Sequence, residues 1–302
     1  MTTGVVLMAY GTPRASEQIL PYYTDIRRGR PPTDAQLADL TSRYEAIGGL
    51  SPLAVLTEAQ RDGLQAALDA AAPGEYVVNL GLKHAAPQVE DGVAALAALG
   101  VDRIVGLVLA PHYSSMSIGQ YLGRARAAAE RAGLPFAGIE SWATEPAYLD
   151  FLAAEVAGRL AAMPANTKVL FTAHSLPQRI LAAGDPYPEQ LRSTAVAVAA
   201  RLGLHPWAQW SIGWQSAGRT PEPWIGPDVL QVIDDLGAAE HAEALLVCPC
   251  GFVTDHLEVL YDLDIEARAR AGRYGLVFDR TASMNDEPAV LGALAARLLT
   301  AA

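Results

Sequence analysis

The chain has 302 residues, 51% of them apolar and 18% charged, with a formal net charge of -11; this is a globular composition long enough for two domains, and its acidity makes it a poor candidate for binding nucleic acid or anionic lipid through charge. No run approaches the roughly 20 apolar residues that a membrane-spanning helix needs, and the short apolar start closes in Gly-Thr-Pro, unlike a secretion signal. The two cysteines, Cys248 and Cys250, flank a single proline and cannot staple distant segments, so a reducing, cytoplasmic setting is expected.

Residues 4–9 (GVVLMA) read as a buried strand that ends at Tyr10-Gly11-Thr12-Pro13. Segment 22–32 (YYTDIRRGRPP), with 43–52 after it, gathers Arg27, Arg28, Arg30 and Arg43 in an otherwise acidic chain. Amphipathic stretches at 52–72, 87–99 and 118–132 read as helices, and apolar runs at 76–82 and 103–110 lie between them. Further apolar runs follow at 168–173, 207–214 and 244–248, and then an acidic segment at 252–266. This alternation predicts an α/β fold with parallel sheets covered on both faces. A faint repeat accompanies it. The strand end Ala9-Tyr10-Gly11-Thr12-Pro13 is similar to Ala173-His174-Ser175-Leu176-Pro177, and LVLAPHYS around Pro111 is similar to LLVCPCGF around Pro249. Two similar halves are therefore predicted, residues 1–140 and 141–302. Their ligands would bind beyond the carboxyl ends of the strands.

Three segments carry candidate chemistry. His174 follows a buried strand directly, where a neutral imidazole can accept a proton or donate a lone pair near pH 7; a structural histidine bonded to a loop carbonyl fits the same position. Glu258, Asp262 and Glu266 recur every four residues. On an α-helix they form one acidic stripe, with Glu266 roughly 12 Å beyond Glu258 at about 1.5 Å per residue. A bound cation would relieve their mutual repulsion, although acidic residues also suit a helix N-terminus without any ligand. The arginine cluster suits a substrate with several carboxylates, because guanidinium forks pair with them bidentately; a solvated loop with ordinary ion pairs accounts for any single arginine. Tyr10 is either a phenolate metal ligand or a packed tyrosine. Taken together the residues suggest a metal-handling α/β enzyme with an anionic substrate, and they go no further.

At these residues the chain resembles the ferrochelatase family, and within it the bacterial enzymes acting on coproporphyrin III. The resemblance rests on MAYGTP (8–13), YYTDIRRGRPP (22–32), RYEAIGGLSPL (43–53), GLKHAAP (81–87), LAPHYSSMS (109–117), AHSLP (173–177), GDPYPEQL (184–191), GWQSAGRTPEPWIGPDV (213–229) and GFVTDHLEVLYDLDIE (251–266), in order along nearly the whole chain. It implies two Rossmann-like, chelatase-type halves flanking a porphyrin cleft. His174 and Glu258 would be the catalytic pair, and His174, Glu258, Asp262 and Glu266 would handle the metal. Tyr10, Arg27, Arg43, Ser51 and Tyr121 would bind substrate, while His84 has a counterpart with no settled role.

The resemblance also implies insertion of Fe2+ into coproporphyrin III to give coproheme in haem biosynthesis. The enzyme would be a monomer making transient contact with a downstream coproheme decarboxylase. Fe2+ is then a substrate, and no cofactor is bound permanently. An iron–sulfur cluster, present in some relatives, is not expected, because two cysteines cannot supply four thiolates. The rival readings are a protoporphyrin IX ferrochelatase, a cobalt chelatase, and a porphyrin or haem carrier. A carrier needs no proton-acceptor pair, so His174 together with Glu258 favours an enzyme.

Overall fold

The computed structural model describes residues 1–206, 208–218 and 220–301. Trp207, at the start of one expected strand, Arg219 in the GWQSAGRTPEPW motif and the terminal Ala302 lie outside the described residues.

Strand β1 (Thr3–Ala9) is buried along its whole length, as its unbroken apolar run requires of a central parallel strand. Helices α1 (Ile19–Ile26), α2 (Asp34–Ala46) and α3 (Leu53–Ala71) follow before β2 (Tyr76–Leu82). Then come α4 (Val89–Ala98), β3 (Arg103–Val108), α5 (Ile118–Arg131) and β4 (Phe136–Ile139). All the pairings are parallel and the order is β2-β1-β3-β4. Val6, Met8, Val93, Leu96, Ile104 and Leu122 form a core beneath α4 and α5. Helix α4 lies so close to β2 that a Cβ on Gly92 would fall 2.3 Å from the Leu80 carbonyl oxygen; only glycine allows that approach.

The same plan recurs in α6 (Pro146–Leu160), β5 (Thr167–His174), α7 (Arg179–Ala182), α8 (Tyr187–Leu202), β6 (Trp210–Gln215), α9 (Val229–Ala239) and β7 (Ala244–Cys248). A π-helix (Val259–Ala267), α10 (Arg268–Gly272) and β8 (Val277–Arg280) complete it, with strand order β6-β5-β7-β8. The core here includes Leu170, Ile233, Leu245, Val247, Leu263 and Phe278. The identical strand orders give the faint sequence repeat its physical basis. Strands β4 and β8 escaped the sequence reading because each is four residues long and sits at a sheet edge, where no long apolar run is required.

The chain forms two compact units, but they do not divide at one point near residue 140. One contains Met1–Trp142, Thr254–Leu257 and the chain from Asn285 onward; the other contains Ala143–Val253 and Glu258–Met284. The C-terminal helix α11 (Pro288–Ala301) thus returns to the first unit, where it packs on α3. Helix α3 has fully buried Leu64 and Leu68, and α11 has Leu294 and Leu298, so each covers an apolar face of its own unit. Leu294→Ala should therefore cost about 2–5 kcal/mol in urea unfolding, the usual range for a buried leucine. A loss under ~0.5 kcal/mol would mean that α11 is not part of the folded core.

Candidate active site

In each sheet the strand order reverses at the central strand, and ligands of open α/β sheets bind outside the carboxyl ends at such switch points. The two switch points carry the two residues singled out by the repeat. Tyr10 follows β1 directly, and His174 is the last residue of β5.

His174 is held from several sides. Its own carbonyl accepts from the Tyr187 hydroxyl at 3.0 Å. The next residue, Ser175, gives its N–H to the Gln215 carbonyl at 2.8 Å and its hydroxyl to the Ile225 carbonyl at 2.7 Å. His174 Nδ1 meets the Ser175 carbonyl oxygen at 2.5 Å. A carbonyl only accepts, so Nδ1 carries the proton and Nε2 is the basic nitrogen of the neutral ring. Nε2 stands 3.7 Å from a Glu258 carboxylate oxygen. Burial alone would lower the affinity of this imidazole for a proton. The Glu258 carboxylate, the Ser175 carbonyl and Asp262 outweigh burial and hold its pKa above 6.5. The rings of Trp224 and Phe252 lie 6.5 and 6.2 Å from it, centre to centre. Gly251 lets the loop after β7 run against the end of β5, since a Cβ there would fall 2.3 Å from the Cβ of Ala173.

The acidic segment departs from the expected α-helix. Residues Val259–Ala267 form a π-helix, with its wider i→i+5 turn. A four-residue spacing falls just short of one such turn and just beyond one α-turn, so the stripe persists in either form. The 12 Å span reckoned at the α-helical rise does not apply. Along this stripe Asp262 is buried and accepts from the Ser216 hydroxyl at 2.5 Å, while Glu266 is exposed. His174, Glu258, Asp262 and Glu266 do not form one closed ligand set. Among the described residues no three His, Cys, Asp or Glu side chains come together to hold a metal ion. Cys248 and Cys250 are both buried at the end of β7, and burial raises the Cys250 thiol pKa well above its ordinary value.

In the first unit, Tyr10 is 42% exposed, so its hydroxyl-bearing ring is not simply packed away. That ring lies 4.6 Å from the His84 ring and 6.5 Å from that of Tyr22. His84 Nδ1 pairs with Asp25 at 2.7 Å. Burial nevertheless lowers the His84 pKa, with Lys83 and Arg124 adding to the effect against the pull of Asp25. Lys83 lies over the Tyr121 ring at 5.1 Å. Burial, then Arg124 and Arg28, lower the Lys83 pKa, so an incoming anion would stabilise its ammonium. Arg124 is already committed to Glu90 through bonds of 2.9 and 2.6 Å. Tyr121 is buried, which keeps its phenol protonated and able to donate.

The other expected substrate-binding residues are more dispersed. Arg27 sits at the end of α1, over the Tyr23 ring at 5.7 Å. Arg43 pairs with Asp39 on its own helix at 3.3 Å. Ser51 is buried, and its hydroxyl oxygen accepts the Leu53 N–H at the start of α3. The sequence reading did not single out Lys83, Ser216 or Trp224. Lys83 had a local signal, being next to His84 in GLKHAAP, whereas Trp224 reaches His174 and Ser216 reaches Asp262 only across long stretches of chain.

Comparison with known proteins places this architecture. SirB from Bacillus subtilis, solved with Fe3+, superposes with a TM-score of 0.59 over 100% of this chain and 96% of that one, at 12% identity. CbiX, described as the terminal enzyme for biosynthesis of siroheme in denitrifying bacteria, covers 100% of both chains with a TM-score of 0.56 at 15% identity. The fold is thus the paired α/β fold of the chelatases, with a histidine–glutamate pair at one switch point. Among curated proteins, a ferrochelatase of Herpetosiphon aurantiacus is 44% identical over 97% of this chain and 96% of its own length. The coproporphyrin III ferrochelatases of Anoxybacillus flavithermus and Bacillus subtilis are 44% and 42% identical over 98% of this chain, and over 95% and 96% of their own. The family model for ferrochelatase matches residues 2–301, and the chain belongs to the ferrochelatase family.

Proposed function

We propose that the protein inserts Fe2+ into coproporphyrin III, giving coproheme in haem biosynthesis. The observation that carries this reading is the His174 geometry. Nδ1 is tied to a carbonyl, and Nε2 is presented beside a carboxylate. Metal insertion releases two pyrrole protons. In this reading Nε2 takes one of them, and Glu258 steadies the imidazolium and shares the proton. Asp262 and Glu266 extend the acidic path for protons or metal. Tyr10, Arg27, Arg43, Ser51 and Tyr121 serve substrate binding, with Lys83 adding a cation whose desolvation an incoming carboxylate would offset. Holding the porphyrin bent through its propionates would expose the ring nitrogens to the metal. No helix among the described residues is long and apolar enough to cross a membrane, and we read the enzyme as cytoplasmic.

Four propionates on coproporphyrin against two on protoporphyrin give the cationic residues more to hold. A partly exposed arginine–carboxylate contact contributes at most about 1 kcal/mol, less than tenfold in affinity, so no single residue sets the preference. Anaerobic assays with Fe2+ should therefore give a kcat/KM for coproporphyrin III more than about tenfold above that for protoporphyrin IX. Arg27→Ala and Arg43→Ala should each erode the preference only in part. Equal turnover of the two porphyrins would overturn the substrate assignment. Absence of turnover with either porphyrin would overturn the enzymatic one.

A further inference from the structure

Ser216 follows β6 in the GWQSAGRTPEPW segment and has φ of +58°, the left-handed region that a residue with a Cβ enters at a cost. Glycine would occupy the position without strain. Neighbouring contacts hold the backbone there. Gln215 is fully buried, its side-chain oxygen accepts from Thr172 at 2.8 Å, and its carbonyl accepts the Ser175 N–H. Trp214 gives its N–H to the Pro227 carbonyl at 3.0 Å. In this conformation the Ser216 hydroxyl donates to Asp262 Oδ2 at 2.5 Å, across 46 residues of sequence. Asp262 is buried on the π-helix, one turn beyond Glu258, and its charge reaches His174. A strained conformation that persists at a functional site commonly serves the side chain it presents.

We propose that Ser216 is a positioning residue for iron insertion, its hydroxyl orienting the Asp262 carboxylate behind the His174–Glu258 pair. The proposal rests on the ferrochelatase reading above. A neutral hydroxyl suits this task. It fixes one carboxylate oxygen by a charge-assisted hydrogen bond and leaves the negative charge in place, where an arginine or lysine would neutralise it. On a π-helix, whose hydrogen-bond geometry is sparsely populated, an external anchor also fixes the side-chain direction that the helix by itself leaves loose.

Two substitutions separate the hydroxyl from the backbone. Ser216→Ala removes the hydroxyl and keeps the strain, whereas Ser216→Gly removes the hydroxyl and relieves the strain. We expect both variants to lower kcat by about tenfold, the worth of one hydrogen bond to a charged group, with the KM for porphyrin within twofold of wild type. Ser216→Gly should melt above Ser216→Ala, which loses the same hydroxyl and keeps the strain. In a double-mutant cycle, Ser216→Gly should add little to Asp262→Ala, because both remove the same contact. Wild-type turnover in the Gly variant, with loss only in the Ala variant, would assign Ser216 a backbone role and overturn the proposal. Additive effects in the cycle would overturn it as well. Wild-type enzyme assayed alongside keeps the two readings apart, since its failure to insert iron would count against the family activity and not against Ser216.

Discussion

His174→Ala is expected to lower the rate of iron insertion by about 10²–10⁴-fold while leaving porphyrin binding intact; that range is what a positioned general base contributes. The expectation follows from the tautomer. With Nδ1 donating to the Ser175 carbonyl, Nε2 is the ring's only acceptor, and alanine leaves Glu258 without the imidazole beside it. The backbone should tolerate the change, because Tyr187 and Gln215 also bond the end of β5, and the ring adds only its contact with the adjacent Ser175 carbonyl. Anaerobic turnover measures the loss, and quenching of porphyrin fluorescence on titration measures binding. Turnover within threefold of wild type would remove His174 from the mechanism. Loss of binding together with turnover would make it a binding residue.

The second large effect is expected of Glu258→Gln, which removes a charge and a proton acceptor 3.7 Å from Nε2. A fall of about 10²-fold in kcat is expected, the lower end of the contribution made by acid–base groups. Glu266→Gln should change kcat less than threefold, because Glu266 is exposed near the far end of the π-helix. A larger loss for Glu266 than for Glu258 would end the idea of a path that terminates at Glu258.

The pH profile supplies an independent reading of the same pair. The base must be neutral to act, so the rate rises as pH climbs through the His174 pKa. In the wild type that pKa lies above 6.5, because Glu258, the Ser175 carbonyl and Asp262 favour the imidazolium more than burial disfavours it. Glu258→Gln removes the largest of these attractions. The acidic limb of kcat/KM should then move to lower pH even as the rate falls. A limb that stays in place would show that another group governs it.

Much of this was legible without a structure. The buried strands announced themselves because a central parallel strand is apolar on both faces, and β2 and β7 occupy 76–82 and 244–248 as read. The repeat between Tyr10 and His174 was visible because both close the central strand of the same topology. Some features lay beyond a local reading for definite reasons. An acidic residue every fourth position suits an α-turn and a π-turn almost equally, so the side-chain pattern does not disclose the i→i+5 backbone bonding. Helix α11 is amphipathic wherever it packs, and only its packing on the apolar face of α3 decides that it belongs to the first unit.

The amino-acid sequence by itself thus determined the α/β class, through hydrophobic periodicity, and the family, through its motifs, and it singled out His174 as the candidate base, because periodicity and residue type are local properties. The tertiary structure alone decided which side chains stand beside these candidates. Glu258 reaches His174 from 84 positions away, Ser216 reaches Asp262 from 46, and Lys83 lies over Tyr121 from 38. Partners at such separations are set by strand order and loop path, which no periodicity along the chain encodes.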